Sequence, residues 1–324
     1  MTEPENPIQT IEQATKVNDL LTHRGIDAPY SPFIVGPPVM DKKTFFGKRR
    51  EVEEVMQNLK HNDIAVIEGG NKSGKSSLLT AVAESMREKR MVKSAVLYDL
   101  HGDNLPADQI LKFIRSDLPR RGKSVIAFDE IETYAEKNPT ELSNLLDKVE
   151  ELRIEGHKII FAVNGDLRGD SRKELPRIIK DRLLKMSGNV TTINKLLDES
   201  EMRELLAQGG EPFFTEPLIR YIMTQSGGHP YLLSALADRS WILLQEKNTL
   251  SPNFSKEIAS EVTERVLFQF GSVVETILAA GFDPLTWQWN GEGKKPNVEI
   301  YQNMLPRYTS TIFKEWLTEH IRKR

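Results

Sequence analysis

The chain has no cysteine among its 324 residues. Disulfide staples and cysteine-ligated zinc are therefore excluded. That absence suits a reducing compartment, so a cytoplasmic location is expected. No apolar run approaches the roughly 18 residues that a spanning helix needs, so no membrane partner is expected. The opening Met1-Thr2-Glu3-Pro4-Glu5-Asn6 is acidic and polar, unlike a signal peptide. Neither sign of charge dominates: 44 Lys and Arg stand against 47 Asp and Glu, a net charge of -3. A global basic footprint for nucleic acid is thus lacking, although a local patch is still open. Internal repeats and low-complexity segments are also absent. What is present is an ordinary globular composition, 39% hydrophobic and 28% charged, long enough for about two domains.

One stretch organises the rest. Gly69-Gly70-Asn71-Lys72-Ser73-Gly74-Lys75-Ser76-Ser77 reads Gly-x-x-x-x-Gly-Lys-Ser, a phosphate-binding P-loop. The apolar run Ile64–Ile67 before it has strand character, and Leu78-Leu79-Thr80-Ala81-Val82 after it has helix character. That strand–loop–helix context is what the motif requires. Gly69, Gly70 and Gly74 let backbone N–H groups turn inward around a phosphate. The start of the following helix adds its positive dipole end. Lys75 is expected to reach the β- and γ-phosphates, and Ser76 to offer its hydroxyl to Mg²⁺.

Further apolar runs end in polar tips. Ser94–Leu100 predicts a second strand, followed by a helix carrying Ile110, Leu111, Phe113 and Ile114. Lys123–Glu130 predicts a third strand ending in two carboxylates. Asp129 is placed to hold the Mg²⁺ shell and Glu130 to orient and deprotonate an attacking water. A plain strand with a polar end is the alternative. Asn138-Pro139-Thr140-Glu141 predicts a capped helix start, with a core face of Leu142, Leu145, Leu146, Val149 and Leu152. Lys158–Gly165 predicts a fourth strand. Its Asn164 is either a contact to the γ-phosphate or lytic water, or an ordinary turn residue before glycine. Residues 166–186 carry Arg168, Arg172, Lys173, Arg177, Lys180, Arg182 and Lys185. Arg177 and Arg182 are candidates for an arginine finger; a solvated helix face is the alternative for most of the set. Val190–Ile193 predicts a last strand.

Beyond Leu196 the pattern is helical. Asp198-Glu199-Ser200-Glu201, Thr215-Glu216-Pro217 and Pro230 each open a helix, a set expected to form a lid. Residues 253–281 are helical again. Leu285–Trp289 and Asn297–Tyr301, around Asn290-Gly291-Glu292-Gly293, predict a hairpin, and Thr311–Arg324 a final helix. Helices plus hairpin suggest a reduced winged-helix unit. Upstream, Ile11, Ala14, Val17, Leu20 and Leu21 suggest a short amphipathic helix. The division expected is an N-terminal extension (1–30), a P-loop core (31–195), a helical lid (196–248) and a C-terminal helical, winged-helix-like domain (249–324).

Together these pieces resemble the AAA-like signal-transduction ATPases (the STAND class) and the archaeal-type and origin-recognition-type AAA+ ATPases. The resemblance rests on Pro32-Phe33 with Gly36-Pro37-Pro38-Val39, Phe45-Phe46-Gly47-Lys48, the P-loop, Phe128-Asp129-Glu130 and Gly228-His229-Pro230-Tyr231, and covers about residues 31–245. It implies a three-layer α/β/α P-loop NTPase core whose parallel sheet has the order 5-1-4-3-2. It implies ATP or ADP with Mg²⁺, Phe46, Gly47 and Lys48 beside the base, and Gly228 and Pro230 closing over the nucleotide. The chain departs from the family at Lys48, where arginine is usual, and at Ser76, where threonine is frequent. The function expected is an ATP-hydrolysing switch, slow without a partner, driving a homo-oligomer or a separate effector protein. A DNA-associated AAA+ ATPase of the initiator or transposition-regulator type, and a non-hydrolysing nucleotide-binding scaffold, are the alternatives.

Overall fold

The structure is a computed structural model. It describes residues 31–33, 48–70, 72–100, 105–164, 167, 175–193, 196–208, 210–246, 254–279, 281–289, 302, 305–306 and 310–322. The expected helix at 11–21, the Phe45-Phe46-Gly47 segment, Asn71, Arg168, Arg172, Lys173 and the second hairpin strand lie outside those residues.

Five parallel strands carry the N-terminal half: β1 (Ile64–Gly69), β2 (Ser94–Asp99), β3 (Ser124–Asp129), β4 (Lys158–Asn164) and β5 (Val190–Ile193). Along the sheet they run β2-β3-β4-β1-β5. Six helices join them: α1 (Arg49–Asn62), α2 (Lys75–Glu88), α3 (Ala107–Asp117), α4 (Ile131–Lys137), α5 (Pro139–Ile154) and α6 (Arg177–Ser187). Every residue of β1 is buried, as a strand covered on both faces must be. The strand period of two sorts its side chains. Ile64 and Val66 join an apolar layer with α3, α4, α5 and α6, where Phe128 stacks on Phe161 at 5.3 Å. Ala65 and Ile67 join a second layer with α1 and α2. Small residues, Ala65, Ala127 and Ala162, recur on that second face.

Among the described residues six helices follow: α7 (Glu199–Ala207), α8 (Glu216–Ser226), α9 (Pro230–Glu246), α10 (Phe254–Arg265), α11 (Gly271–Ala279) and α12 (Thr311–Arg322), with a 3-10 turn at Leu267–Phe270. Asp198 caps α7 through a reciprocal box with Glu201: each side chain accepts from the other's backbone N–H at 2.9 Å. One apolar cluster runs through all these helices and takes in Phe33 from upstream of the core. Phe33 stacks on Phe214 at 5.5 Å and meets Phe213 edge-on.

The structure adds to the expectations and corrects two of them, at Asn138 and at Leu285–Trp289. The residues after Glu130 form α4, an element the pattern did not announce. Asn138 precedes α5 but its side chain makes no capping bond; Glu141 instead accepts from the Ala107 N–H at 2.8 Å, tying α5 to the start of α3. Of the apolar residues that α3 carries, Ile110, Leu111 and Ile114 are buried and Phe113 is exposed. Leu285–Trp289 is not a strand. The Asp283 carboxylate accepts from the Leu285 N–H and the Thr286 hydroxyl, both at 2.8 Å, and winds the chain into a turn closed by a Phe282–Trp289 bridge.

Candidate active site

Parallel order puts every strand's carboxyl end on one edge of the sheet, and the site forms there. β4 lies between β1 and β3, with Gly69 opposite Asn164 in the ladder. At about 4.8 Å per strand, the P-loop and the acidic tip of β3 stand about 10 Å apart, with Asn164 between them. The order therefore puts the Asn164 amide between the loop and the acids.

The loop has the geometry its glycines require. Gly74 sits at φ +94°, a conformation that strains any L side chain. A Cβ on Gly69 would lie 2.6 Å from the Ile193 carbonyl oxygen and 2.9 Å from Ser73 Oγ, so β5 demands glycine there. The Ser73 hydroxyl is buried with no hydrogen-bond partner, a polar group left over inside the cradle.

Lys75, first residue of α2, is buried. Its ammonium donates to the carbonyls of Gly70 at 2.8 Å and Gly69 at 3.3 Å, and to Asn164 Oδ1. Burial pushes its pKa below the ordinary lysine value, and Glu132, Glu130 and Asp129 pull it back up. The Asn164 amide nitrogen donates to Glu130 Oε2 at 3.2 Å and to Glu132 Oε1. The Ser76 hydroxyl donates to the Asp129 carboxylate. Burial pushes Asp129 above its ordinary value, opposed by that bond and by Lys75. Glu130 turns the chain from β3 into α4 at φ 55° and ψ 37°, left-handed for a residue with a side chain. Its N–H donates to Asp129 Oδ1 at 3.0 Å. Lys75, Ser76, Asp129, Glu130 and Asn164, chosen from the sequence, thus converge.

Of the residues chosen for the base side, Lys48 and Pro230 lie among the described residues. Lys48 is buried and caps the start of α1 at φ 53°. Burial, and next the charge of Lys48, push His229 down to about 3. Pro230 opens α9, and the Gly228 carbonyl accepts from the Leu197 N–H at 2.8 Å. Lys72 sets its ammonium 5.1 Å from the ring centre of Tyr231, joining the loop to α9. Ser77 lies in the first turn of α2. Arg177 is exposed at the first turn of α6, on the same edge of the sheet. Arg182 is bound within its own chain, to Asp147 and to the Ser143 carbonyl at 3.1 Å.

Glu132 was missed. Its one sequence signal is the Asp-Glu-x-Glu pattern, which puts an acid in the first turn of α4 beside the strand tips.

No family model matches the sequence, and no curated protein matches it. Solved structures do. A Walker-type ATPase of Pyrococcus abyssi aligns with TM-score 0.53 and 14% identity, over 89% of this chain and 92% of its own. The ORC1 protein of Aeropyrum pernix, solved with DNA, aligns with TM-score 0.52 and 14% identity, over 94% and 88%. Domain III of the Thermotoga maritima replication initiation protein DnaA aligns with TM-score 0.50 and 13% identity, over 70% and 98%. The fold is that of the AAA+-type P-loop ATPases. For this AAA+ fold, the inward loop, the orphaned Ser73 hydroxyl and the buried ammonium suit a triphosphate. Beside the ammonium, the Ser76 hydroxyl and the Asp129 carboxylate bring together the kind of oxygen donors that would suit a divalent cation.

Proposed function

We propose that the chain is a Mg²⁺-dependent ATPase whose hydrolytic centre is the line Lys75, Asn164, Glu130 across three neighbouring strand ends. That line is the observation that carries the reading. Phosphates would lie in the Gly69–Ser77 loop, with Asn71, Lys72 and Ser73 among the donors, and the base beside Phe46, Gly47, Lys48 and Pro230. Lys75 would exchange its bonds to two loop carbonyls for the β- and γ-phosphates. Ser76 and Asp129 would hold Mg²⁺, which when bound neutralises charge developing on the transferred phosphoryl group. Glu130, held by Asn164, would accept the proton of the attacking water. Arg177 is the candidate to reach a neighbouring subunit of a homo-oligomer. The test is phosphate release from Mg-ATP beside ATP binding. The parent hydrolyses and Lys75→Ala neither binds nor hydrolyses; copurified nucleotide with no phosphate release would make the protein a scaffold.

Of the two tasks such an ATPase could drive, action on DNA has the better support. It rests on the likeness to the A. pernix ORC1 protein, whose structure contains DNA, across 94% of this chain. Basic residues 166–186 would supply phosphate contacts. The second reading, a STAND-type switch acting on a partner protein, rests on the contact of Lys72 with Tyr231, which couples the phosphate loop to α9. Duplex binding that weakens steeply with added salt supports the first; no binding at low salt leaves the second.

A further inference from the structure

Asn164 works only if its amide faces the right way, and its neighbours decide that. An ammonium can only donate, so the atom facing Lys75 must be Oδ1. The NH₂ then points at two acids, Glu130 Oε2 at 3.2 Å and Glu132 Oε1. Glu130 lies at a strained turn and is half-exposed. Glu132 is buried in the first turn of α4, and its other oxygen, Oε2, is buried without a partner. Of the two acceptors it is the fixed one.

We propose that Glu132 is a positioning residue for ATP hydrolysis: its Oε1 locks the Asn164 amide with oxygen towards Lys75 and NH₂ towards Glu130. The inference rests on the ATPase reading above and adds to it a residue that touches neither nucleotide nor metal. The surroundings of Glu132 favour its neutral form. Burial first, and the Glu130 carboxylate second, push it up to about 8, while Lys75 opposes. A neutral Glu132 still accepts through Oε1, so the amide keeps its orientation. The role needs a hydrogen-bond acceptor at Oε1, not a negative charge.

That distinction sets the experiment. Steady-state hydrolysis and ATP binding are measured for the parent, Lys75→Ala, Glu132→Met and Glu132→Gln. Methionine keeps length and burial but removes the acceptor. It lowers kcat by about 10- to 100-fold and leaves the ATP Kd within about 3-fold, the pattern of a group acting in the transition state alone. Glutamine is shaped like a neutral glutamic acid and restores most of the lost kcat. In an Asn164→Leu background, Glu132→Met costs nothing further, because the amide it positions is gone. If Glu132→Met does not fold, Glu132→Asp draws the oxygen back by one methylene and shows the same kcat loss. Glu132→Met with parental kcat would overturn the proposal. So would Glu132→Gln as inactive as Glu132→Met, which would make the charge itself part of the chemistry. In both cases the parent still hydrolyses and Lys75→Ala does not, so the ATPase reading stands. A parent that binds ATP without hydrolysis overturns both.

Discussion

The edge of the sheet and the helical C-terminal part solve opposite problems. At the edge, Lys75, Asn164, Glu130 and Glu132 are joined by directional bonds that fix individual atoms. In α7–α12 the interior is one apolar cluster built on Phe214, Tyr221, Trp241, Phe270 and Phe313, with aromatic rings edge-on or tilted. Directional networks hold a reaction geometry and tolerate little displacement. Apolar packing has no preferred direction, so a body held that way can pivot against the sheet while staying intact. The two regions touch where Lys72 meets the Tyr231 ring and where Arg49 of α1 pairs with Glu204 of α7.

The comparison can be broken first with paired truncations. Phe128 and Phe313 are both fully buried, one in the sheet layer and one in the helical cluster. Each change to alanine costs about 3–5 kcal/mol in chemical denaturation. Phe128→Ala also weakens hydrolysis, because Phe128 directly precedes Asp129 and stacks on β4. Phe313→Ala leaves the ATP Kd within about 3-fold. Equal damage to nucleotide handling from both would mean that the regions are not separable.

A smaller effect follows from pH. Glu132 is raised from 4.5 to about 8 in the fold. Its contribution is fully present below pH 4.5 and is lost as pH rises through about 8, because the unfolded chain gives up that proton earlier. Glu132→Gln has no proton to lose. Its stability advantage over the parent therefore grows between pH 5 and 8.5, on the order of a few kcal/mol. Thermal unfolding across that range checks it; a constant difference would mean that Glu132 is charged throughout.

The smallest effect belongs to the lid surface. Arg203 donates to Glu216 at 2.7 and 2.9 Å, and Glu216 is held down to about 2 by Arg203 first and Arg220 second. The pair is solvent-exposed, so Arg203→Met costs under about 1 kcal/mol. Glu216 is depressed, so its share is present above pH 4.5 and fades as pH falls towards 2. Denaturation of Arg203→Met at pH 7 and pH 3 reads it.

Much of this was legible in the chain. Strand runs such as Ile64–Ile67 and Ile159–Val163 are apolar without break because both faces are covered, and their polar ends mark the edge where chemistry collects. The order along the sheet, absent from any single strand, is what puts Asn164 between the loop and the acids. The misses have local causes. α4 is only seven residues and opens on a left-handed glutamate without a capping bond, so it carries neither a helical period nor a start signal. Leu285, Trp287 and Trp289 alternate like a strand, but the Asp283 side chain supplies the hydrogen bonds of a turn and wins. Glu132 reads as a solvated helix acid, and only α4 packing back beneath the strand tips buries it.

The most direct test of the central claim is Glu130→Gln, followed by ATP titration and single-turnover hydrolysis on the same sample. The account predicts an ATP Kd within about 3-fold of the parent and a cleavage rate lower by about 100-fold or more. A variant that cleaves ATP at the parental rate would contradict it.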